Sequence, residues 1–449
     1  MDKILKLSAN PRLLALDVLV AVEKGEFLEK ALNERAALVS PDNLALARAL
    51  ASMTVRHQSR LDFLLATKLT KGWPDHLTLL ILRLGLCQIL FFDRLGDHAI
   101  VDQTVRLTGS KRRGREGLVN AVLRGFLRDR AVFGWPKELD GREVAPLKRL
   151  AVFYSHPLWL VEKLNDLLGY RETRALLVAN NQPPPPTIRV NPRKISREDL
   201  AGRLPFPTQK TLISPWGLKP LAKSLRRPNL WPLYQEGFFA IQDEASQLIG
   251  LLGEGAERVL DCCAGLGGKT LAIAAVLPEK GRIWALDPHG GRLNGLKTEA
   301  QRLGLAEKIV ETKESSLATA KLEGDFDLVI VDAPCSGLGV IRRRPEIKWR
   351  KSPGDLPPLA AFQLELLETA AAKVAKGGSL IYAVCSVLAE EGLGVCQQFL
   401  AKNLSFRYLA KEELPLSLAN LSGGSGQIHL WPHKEGTDGF FYGLLTNRP

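Results

Sequence analysis

The chain has 449 residues, of which 45% are hydrophobic and 24% charged, and a formal net charge of +13. A chain of this length is too long for a single hydrophobic core of typical size, so we expect two or three domains. The hydrophobic and charged fractions are ordinary for a soluble globular protein. Apolar run 79–92 is interrupted by Arg83 and Gln88, so it cannot span a bilayer. Six cysteines without zinc-ligand spacing exclude a disulfide framework and argue against a metal site. With no secretory segment at its start, we expect a cytoplasmic, metal-free protein.

The positive charge is concentrated in the first half of the chain. Residues 1–150 hold 25 Lys and Arg against 17 Asp and Glu, and residues 181–235 hold 10 against 2. Residues 236–449 reverse the balance, with 23 against 26. This asymmetry predicts that the first half binds a polyanion such as RNA. The alternative is that these charges only solvate helix faces.

Residues 1–150 have the pattern of an all-α domain. Asn10-Pro11 and Ser40-Pro41 each combine a capping side chain with proline at the first helical position. Gly25 is expected to end the first helix, and run 79–92 is expected to form a buried helix.

A proline-rich, basic stretch follows the helices. Four consecutive prolines, residues 183–186, break any helix and predict a stiff extended connection. The basic residues that follow are interleaved with Trp216, Trp231 and Tyr234, a mixture suited to RNA bases and phosphates. We therefore expect residues 151–235 to be a basic linker and an N-terminal extension of the next domain.

From residue 236 onward, strand and helix patterns alternate. Strands are expected at 258–261, 283–287, 326–332 and 379–385, and a helix is expected after the first of them. This alternation predicts an α/β domain over 236–449, with a doubly wound parallel sheet and ligands at the carboxyl ends of its strands.

The glycine-rich turn 261–270 ends in Gly268-Lys269-Thr270, as a phosphate-binding loop does. That loop also needs a glycine five residues before Gly268, where this chain has Cys263. The turn is better suited to a nucleoside, because Asp287 at the end of the second strand can accept hydrogen bonds from ribose hydroxyls.

Two cysteines give the strongest chemical signal. Cys335 and Cys385 each follow an apolar strand, each precedes a serine, and Asp332 lies close to the first. Methylation of C5 of a pyrimidine needs two thiols, a carboxyl group and a nucleoside cofactor: one thiolate adds to C6 and makes C5 nucleophilic, and the second group assists elimination. The residues alone do not rank the two cysteines.

These motifs resemble the bacterial RNA cytosine-C5 methyltransferases. The resemblance rests on DAPCSGLGVIRRRPEIKW, YAVCSVLAEE, the turn 261–270, QDEASQ at 242–247 and DGFF at 438–441. The N-terminal motifs LRLGLCQILFFDRLGDHAIVDQTVRL and VNAVLRGFLR resemble the NusB-like domain of the member that methylates small-subunit ribosomal RNA. The resemblance implies an all-α NusB-like domain before a Rossmann-like methyltransferase domain with a seven-stranded sheet. It also implies S-adenosylmethionine as cofactor and 16S ribosomal RNA as substrate.

The resemblance also assigns roles. Cys385 would be the nucleophile, Cys335 would aid product release, and Asp332 would contact the cytosine beside the cofactor. Asp287 would bind the ribose and Glu314 the adenosine. The methionine part of the cofactor would lie against Cys263, Ala264, Gly265, Leu266, Gly267, Gly268 and Lys269.

This chain departs from the family pattern at three places. Gly265-Leu266 replaces Ala-Pro in the turn, Val384 replaces the threonine before the nucleophile, and Glu314 replaces an aspartate. None of these changes removes a reacting group.

A basic cluster directly follows the first cysteine motif. Its members Arg342, Arg343, Arg344 and Lys348 are expected to bind RNA phosphates beside the active site. The alternative is a solvated loop.

Two functions other than RNA methylation are compatible with parts of the sequence. A P-loop-like nucleotide hydrolase is disfavoured by Cys263. A non-catalytic NusB-like assembly factor would need neither Cys335 nor Cys385. We also expect a monomer that binds no membrane.

Overall fold

The structure is a computed structural model that describes residues 10–36, 39–129, 145–221 and 231–448, without the side chains of 311–313. The chain forms two compact units. The first comprises the residues up to Gln182 together with Ile341–Lys351, and the second comprises Pro183–Val340 and the residues from Ser352 onward. These units do not follow the expected boundaries at 150 and 235, and that three-part division stays a prediction.

The first unit is helical, as expected. Its longer described helices are α1 (Pro11–Glu23), α2 (Leu28–Arg35), α3 (Pro41–Arg56), α4 (Gln58–Ala66), α5 (His76–Phe91), α6 (Asp97–Lys111), α7 (Glu116–Arg128), α8 (Pro146–Phe153) and α9 (Leu158–Asn180). The side chains of Asn10 and Ser40 cap α1 and α3, and a proline follows each cap. Gly25 lies just beyond α1 with a φ of 101°, a conformation that glycine adopts without a steric cost.

Helix α5 lies in the core of this unit, and most of its residues are buried. The segment Ile341–Lys351 packs against other parts of the same unit. Trp349 Nε1 donates to the Val55 carbonyl at 2.8 Å, and the Leu28 amide donates to Glu346 Oε1 at 3.1 Å. This segment, distant in sequence, is therefore part of the helical unit's structure.

The second unit begins with a small antiparallel sheet. Its strands are β1 (Ile188–Val190), β2 (Thr208–Lys210), β3 (Gly217–Pro220) and β4 (Phe239–Ile241), in the order β2-β3-β1-β4, with helix α10 (Arg197–Arg203) between the first two. The sequence predicted a basic linker and an N-terminal extension of the next domain over 151–235, but not the strands of this sheet. The strands are three or four residues long, too short for a clear alternation of apolar and polar residues.

A larger sheet forms the rest of the second unit. Its strands are β5 (Arg258–Asp261), β6 (Arg282–Asp287), β7 (Ile309–Glu314), β8 (Phe326–Asp332), β9 (Val374–Val384), β10 (Phe406–Tyr408), β11 (Gln427–Leu430) and β12 (Phe440–Asn447). Seven of them form the order β10-β12-β9-β8-β5-β6-β7, and β11 is an eighth strand that pairs with β12. Strands β5 to β9 pair in parallel, whereas β12 pairs antiparallel with β9.

Helices cover both faces of this sheet, and the strands contribute to two cores. The helices are α11 (Gly268–Ala274), α12 (Gly290–Leu303), α13 (Leu356–Ala371) and α14 (Leu393–Lys402). Val259 packs into one core and Leu260 into the other, because successive side chains of a strand point to opposite faces. The α/β fold expected from the sequence is confirmed.

Within residues 10–36, 39–129, 145–221 and 231–448, no helix has the length and apolar character needed to cross a membrane.

Candidate active site

The residues singled out in the sequence lie at one edge of the large sheet. Asp261, Asp287, Glu314 and Asp332 are the last residues of the parallel strands β5, β6, β7 and β8, and Cys385 directly follows β9. Parallel strands end on the same side, so these side chains share the carboxyl edge where open α/β sheets bind ligands.

The glycine turn between β5 and α11 is held by Asp261. The Thr270 hydroxyl donates to Asp261 Oδ2 at 2.7 Å, and the Cys263 amide donates to Oδ1 at 3.2 Å. Gly267 has a φ of 84°, and a Cβ there would lie 2.5 Å from Leu296 Cγ, so this position requires glycine. Gly265, in contrast, borders open space, with no atom within 4 Å of the position of a Cβ.

Asp287 supports the same turn from the next strand. The Gly265 amide donates to Asp287 Oδ2 at 3.0 Å, and the His289 amide donates to Oδ1 at 2.9 Å. His289 Nδ1 also lies 3.3 Å from Oδ1, and Arg292 Nη1 lies 3.5 Å from Oδ2, both from largely exposed side chains. Glu314 is paired in register with Asp287, and its carboxylate lies against Gly290 at the start of α12. The two acids are therefore neighbours.

Lys269 and Asp332 form an ion pair, with Nζ 2.7 Å from Oδ2. The ammonium also lies 4.8 Å from the centre of the Phe440 ring, a distance typical of a cation–π contact. Burial alone would lower the pKa of Lys269, but the charge and hydrogen bond of Asp332 outweigh it and raise that pKa. A cation is thus held at the edge of the sheet next to the thiols.

The two cysteine thiols are in contact, with 3.4 Å between Cys335 Sγ and Cys385 Sγ. The hydrogen bond from Cys335 lowers the pKa of Cys385, and Lys269 lowers it further, against the opposing effects of burial and of Asp332. The same hydrogen bond and burial raise the pKa of Cys335. Since the thiolate is the nucleophilic form, these opposite pKa shifts fit Cys385 as the nucleophile and Cys335 as the thiol that keeps its proton.

The loop after Cys335 is locked against the loop after Cys385 by two glycines. The Gly339 amide donates to the Cys385 carbonyl at 2.9 Å, and the Gly439 amide donates to the Gly339 carbonyl at 2.8 Å. A Cβ on Gly339 would lie 2.0 Å from the Gly439 carbonyl oxygen. Only glycine permits this close approach.

Cys263, assigned to the cofactor through the resemblance, is partly buried within the turn. Burial, followed by the nearby carboxylates Asp261 and Asp332, raises its pKa. Ala264 and Gly268 belong to the same turn, whereas the Leu266 side chain is 68% exposed. The turn residues are therefore brought together, with Leu266 directed outward.

The sequence did not predict a contact between the small sheet and the glycine turn 261–270. Arg189 of β1 is buried and donates through Nη1 to the Gly268 carbonyl at 2.8 Å and to Gln242 Oε1 at 2.5 Å. Gln242 Nε2 donates to the same carbonyl at 3.0 Å. The only signal in the sequence was Gln242, at the start of one of the resembling segments.

The basic cluster is divided by burial. Arg344 is exposed, and its guanidinium lies 5.3 Å from the Phe27 ring centre, whereas Arg343 is half-buried. Arg342 and Lys348 are buried, and Lys348 Nζ donates to the Arg56 carbonyl at 2.8 Å. The expected phosphate contacts for Arg342 and Lys348 therefore do not fit this structure, because both side chains are buried and the Lys348 ammonium binds a carbonyl of the helical unit.

Three family models match successive parts of the chain. Residues 9–128 match the NusB family, residues 156–206 match a ferredoxin-like domain of RsmF/B-like methyltransferases, and residues 249–446 match the 16S rRNA methyltransferase RsmB/F model.

Curated relatives match over almost the whole chain. A probable ribosomal RNA small subunit methyltransferase B from Bacillus subtilis is 32% identical over 95% of this chain and 96% of its own. Ribosomal RNA small subunit methyltransferase B from Pseudomonas syringae is 34% identical over 97% of this chain and 96% of its own.

Solved structures share the fold. The crystal structure of PH0851 superposes with a TM-score of 0.77 at 24% identity, covering 97% of this chain and 99% of that one. A methyltransferase homolog from Pyrococcus horikoshii superposes with a TM-score of 0.58 at 25% identity, covering 68% of this chain and all of that one.

Proposed function

The chain belongs to the RsmB/F family of 16S rRNA methyltransferases, and from that premise we propose that it methylates C5 of a cytosine in 16S ribosomal RNA through a covalent adduct on Cys385. The observation that carries the proposal is the 3.4 Å contact between the Cys335 and Cys385 thiols beside the Lys269–Asp332 ion pair. The other two functions are not favoured, since neither a nucleotide hydrolase nor a non-catalytic factor needs this pair.

In the proposed reaction the Cys385 thiolate forms a bond to C6 of the cytosine, and the electron pair of the C5–C6 double bond becomes available at C5. C5 uses that pair to form a bond to the methyl carbon, whose bond to the sulfur of the donor breaks and leaves its electron pair on that sulfur. The C5 proton then passes to a base, the electrons of the C5–H bond re-form the double bond, and the C6–Sγ bond breaks to return the thiolate. Cys335 assists this elimination, and Asp332 contacts the ring-nitrogen edge of the base.

The methyl donor proposed is S-adenosylmethionine, which supplies an electrophilic methyl group when bound. The acids at the strand ends suit it. Asp287 can accept hydrogen bonds from a ribose diol in place of its long contacts to the exposed side chains of His289 and Arg292, and Glu314 lies next to Asp287 at the adenosine end. The open space beside Gly265 leaves room for a ligand against the backbone of turn 263–269. Asp332 is linked to this turn by the hydrogen bond that Lys269 Nζ donates to its carboxylate.

The RNA-binding surface is proposed on the basic first half of the chain and on the segment Ile341–Lys351, which belongs to the first unit. Arg344, exposed, and Arg343 are the members of the basic cluster that we propose as phosphate contacts. A ribosomal RNA substrate also implies that the enzyme works in the cytoplasm.

Bisulfite sequencing of 16S ribosomal RNA from cells that lack the gene tests the proposal. One cytosine that is protected in the parent strain should become convertible, because 5-methylcytosine resists bisulfite. The gene should restore protection when supplied intact and not when it carries Cys385→Ser. Identical sequencing profiles in the parent and deletion strains would overturn the proposal.

A further inference from the structure

A buried carboxylate outside the proposed reaction lies behind both cysteines. Glu391 follows Cys385 by six residues, and its side chain is fully buried in the turn before α14. Its Oε1 accepts the Ser336 amide at 2.7 Å and Gln363 Nε2 at 3.2 Å. One oxygen thus ties the turn after Cys335 to helix α13.

The second oxygen joins the two cysteine turns. Glu391 Oε2 accepts the Ser386 hydroxyl at 2.6 Å and the Ser336 hydroxyl at 2.5 Å. These hydroxyls lie 3.3 Å apart, and each belongs to the residue directly after a cysteine. A single carboxylate therefore binds both Cys-Ser units at once.

Glu391 is itself fixed from two directions. The Tyr382 hydroxyl of β9 donates to the Glu391 carbonyl at 2.5 Å and contacts Gln363 Oε1 at 3.1 Å. Gln363 Nε2 also donates to the carbonyl of Pro334, the residue before Cys335, at 2.9 Å. The hydrogen bonds form a closed network around the two turns.

We propose that Glu391 is a positioning residue that holds the Cys335 and Cys385 thiols in contact. A buried carboxylate is costly unless its oxygens are fully hydrogen-bonded, and packing alone would be served by an apolar side chain. Every described contact of its oxygens goes to a cysteine turn or to Gln363, which itself binds one. The inference rests on the catalytic roles proposed above for the two thiols.

The consequence for chemistry runs through Cys335. The hydrogen bond from Cys335 lowers the pKa of Cys385, and the charge of Glu391 raises the pKa of Cys335. Loss of Glu391 should therefore loosen the thiol contact and raise the pKa of Cys385, while the ion pair of Lys269 and Asp332 stays intact.

The test compares the full-length protein with Glu391→Ala and Glu391→Gln. The rate of Cys385 alkylation by iodoacetamide is followed against pH by mass spectrometry of its peptide. We expect the midpoint for Glu391→Ala to rise by about one pH unit, a roughly ten-fold slower alkylation at neutral pH. Methyl transfer should fall roughly 100-fold in kcat, as expected for misplaced reacting groups, with the KM for S-adenosylmethionine unchanged.

Glu391→Gln should lie between wild type and Glu391→Ala in both measurements, because the amide keeps one acceptor oxygen and can donate to the serine hydroxyls. The control is Glu365→Gln, an exposed carboxylate on α13, which should match wild type. If Glu391→Ala does not fold, the double variant Ser336→Ala/Ser386→Ala removes the same hydroxyl contacts and should give the same alkylation shift.

A wild-type alkylation profile in the folded Glu391 variants, or in the double serine variant, would overturn the inference. That outcome is distinct from failure of the proposed function, which would be shown by full methylation activity in Cys385→Ser whatever the behaviour of Glu391.

Discussion

Cys335 and Cys385 lie with their Sγ atoms 3.4 Å apart because they follow neighbouring parallel strands. Asp332, three residues before the first thiol, is paired in register with Ala383, two residues before the second. Fifty residues of sequence separate two atoms that the sheet brings into contact. The hydrogen bond between them makes the two thiols chemically unequal.

This inequality predicts different behaviour for the two serine variants. Cys335→Ser should still add to C6 and accept the methyl group, but elimination should stall and a covalent protein–RNA complex should accumulate. Cys385→Ser should form no complex and transfer no methyl group, because a serine hydroxyl without a paired base is a poor nucleophile. A slower band on a denaturing gel with labelled RNA reports the complex.

The double variant Cys335→Ser/Cys385→Ser is the control and should give no band. A complex that accumulated with Cys385→Ser would reverse the two roles.

Unpaired RNA should react faster than duplex RNA, because the target base must leave its stack to reach both thiols.

Asp287 is expected to contribute to cofactor affinity. Asp287→Ala should weaken S-adenosylmethionine binding by roughly 1.5–3 kcal/mol, the range for loss of a charged hydrogen bond. Part of the loss would come from the turn, since the Gly265 amide also donates to this carboxylate. Calorimetric titration measures the affinity, and Glu365→Ala, which removes an exposed carboxylate on α13, is the control. An unchanged affinity in Asp287→Ala would contradict the ribose assignment.

The sequence was sufficient to predict the site residues that lie at the ends of strands. The apolar runs before Asp332 and Cys385 predicted buried strands, and parallel pairing alone brings their ends together. The capped helices of the first unit were likewise predictable, because Asn10 and Ser40 act within three residues of their own position.

What the sequence did not reveal depends on partners far away in the chain. Lys348 lies in a run of basic residues that is typical of an exposed loop, yet its ammonium binds a carbonyl 292 residues away. Glu391 is one of two adjacent glutamates, and only the fold distinguishes it from Glu390. Burial of a charged side chain has no local pattern, because it is decided by which distant backbone and side-chain groups satisfy it.

The burial of Lys348 predicts that it stabilises structure and does not bind RNA. Burial, followed by the charge of Arg56, lowers its pKa well below the usual value. Lys348→Met keeps the volume but removes the donor to the buried Arg56 carbonyl, so the free energy of unfolding should fall by about 1–3 kcal/mol. RNA affinity should stay at the wild-type value.

Arg344→Ala is the matched comparison in the same cluster. It should weaken RNA binding and lower the salt slope of the affinity by about one, as loss of a phosphate contact does. Fluorescence anisotropy of the full-length protein with a 16S ribosomal RNA fragment over a salt series measures both quantities. An equal loss of affinity in Lys348→Met would show that the segment rearranges when RNA binds.

Asp261 should make the second unit less stable as the pH rises. Burial, with a contribution from Asp332, raises the pKa of this carboxyl from its usual 3.8 to about 6, against the hydrogen bonds from Thr270 and Cys263. The folded state therefore holds a proton that the unfolded state has lost between about pH 4 and pH 6, and the stability present below this window is lost as the pH rises through it. The loss is on the order of 3 kcal/mol, since each pKa unit corresponds to about 1.4 kcal/mol.

The variant Asp261→Asn tests this, because its amide cannot titrate. The difference in urea-unfolding free energy between wild type and variant should change by that amount between pH 4 and pH 7. Parallel pH profiles for the two proteins would mean that Asp261 keeps an ordinary pKa, and that the strand end beneath the cofactor turn carries its charge at no cost.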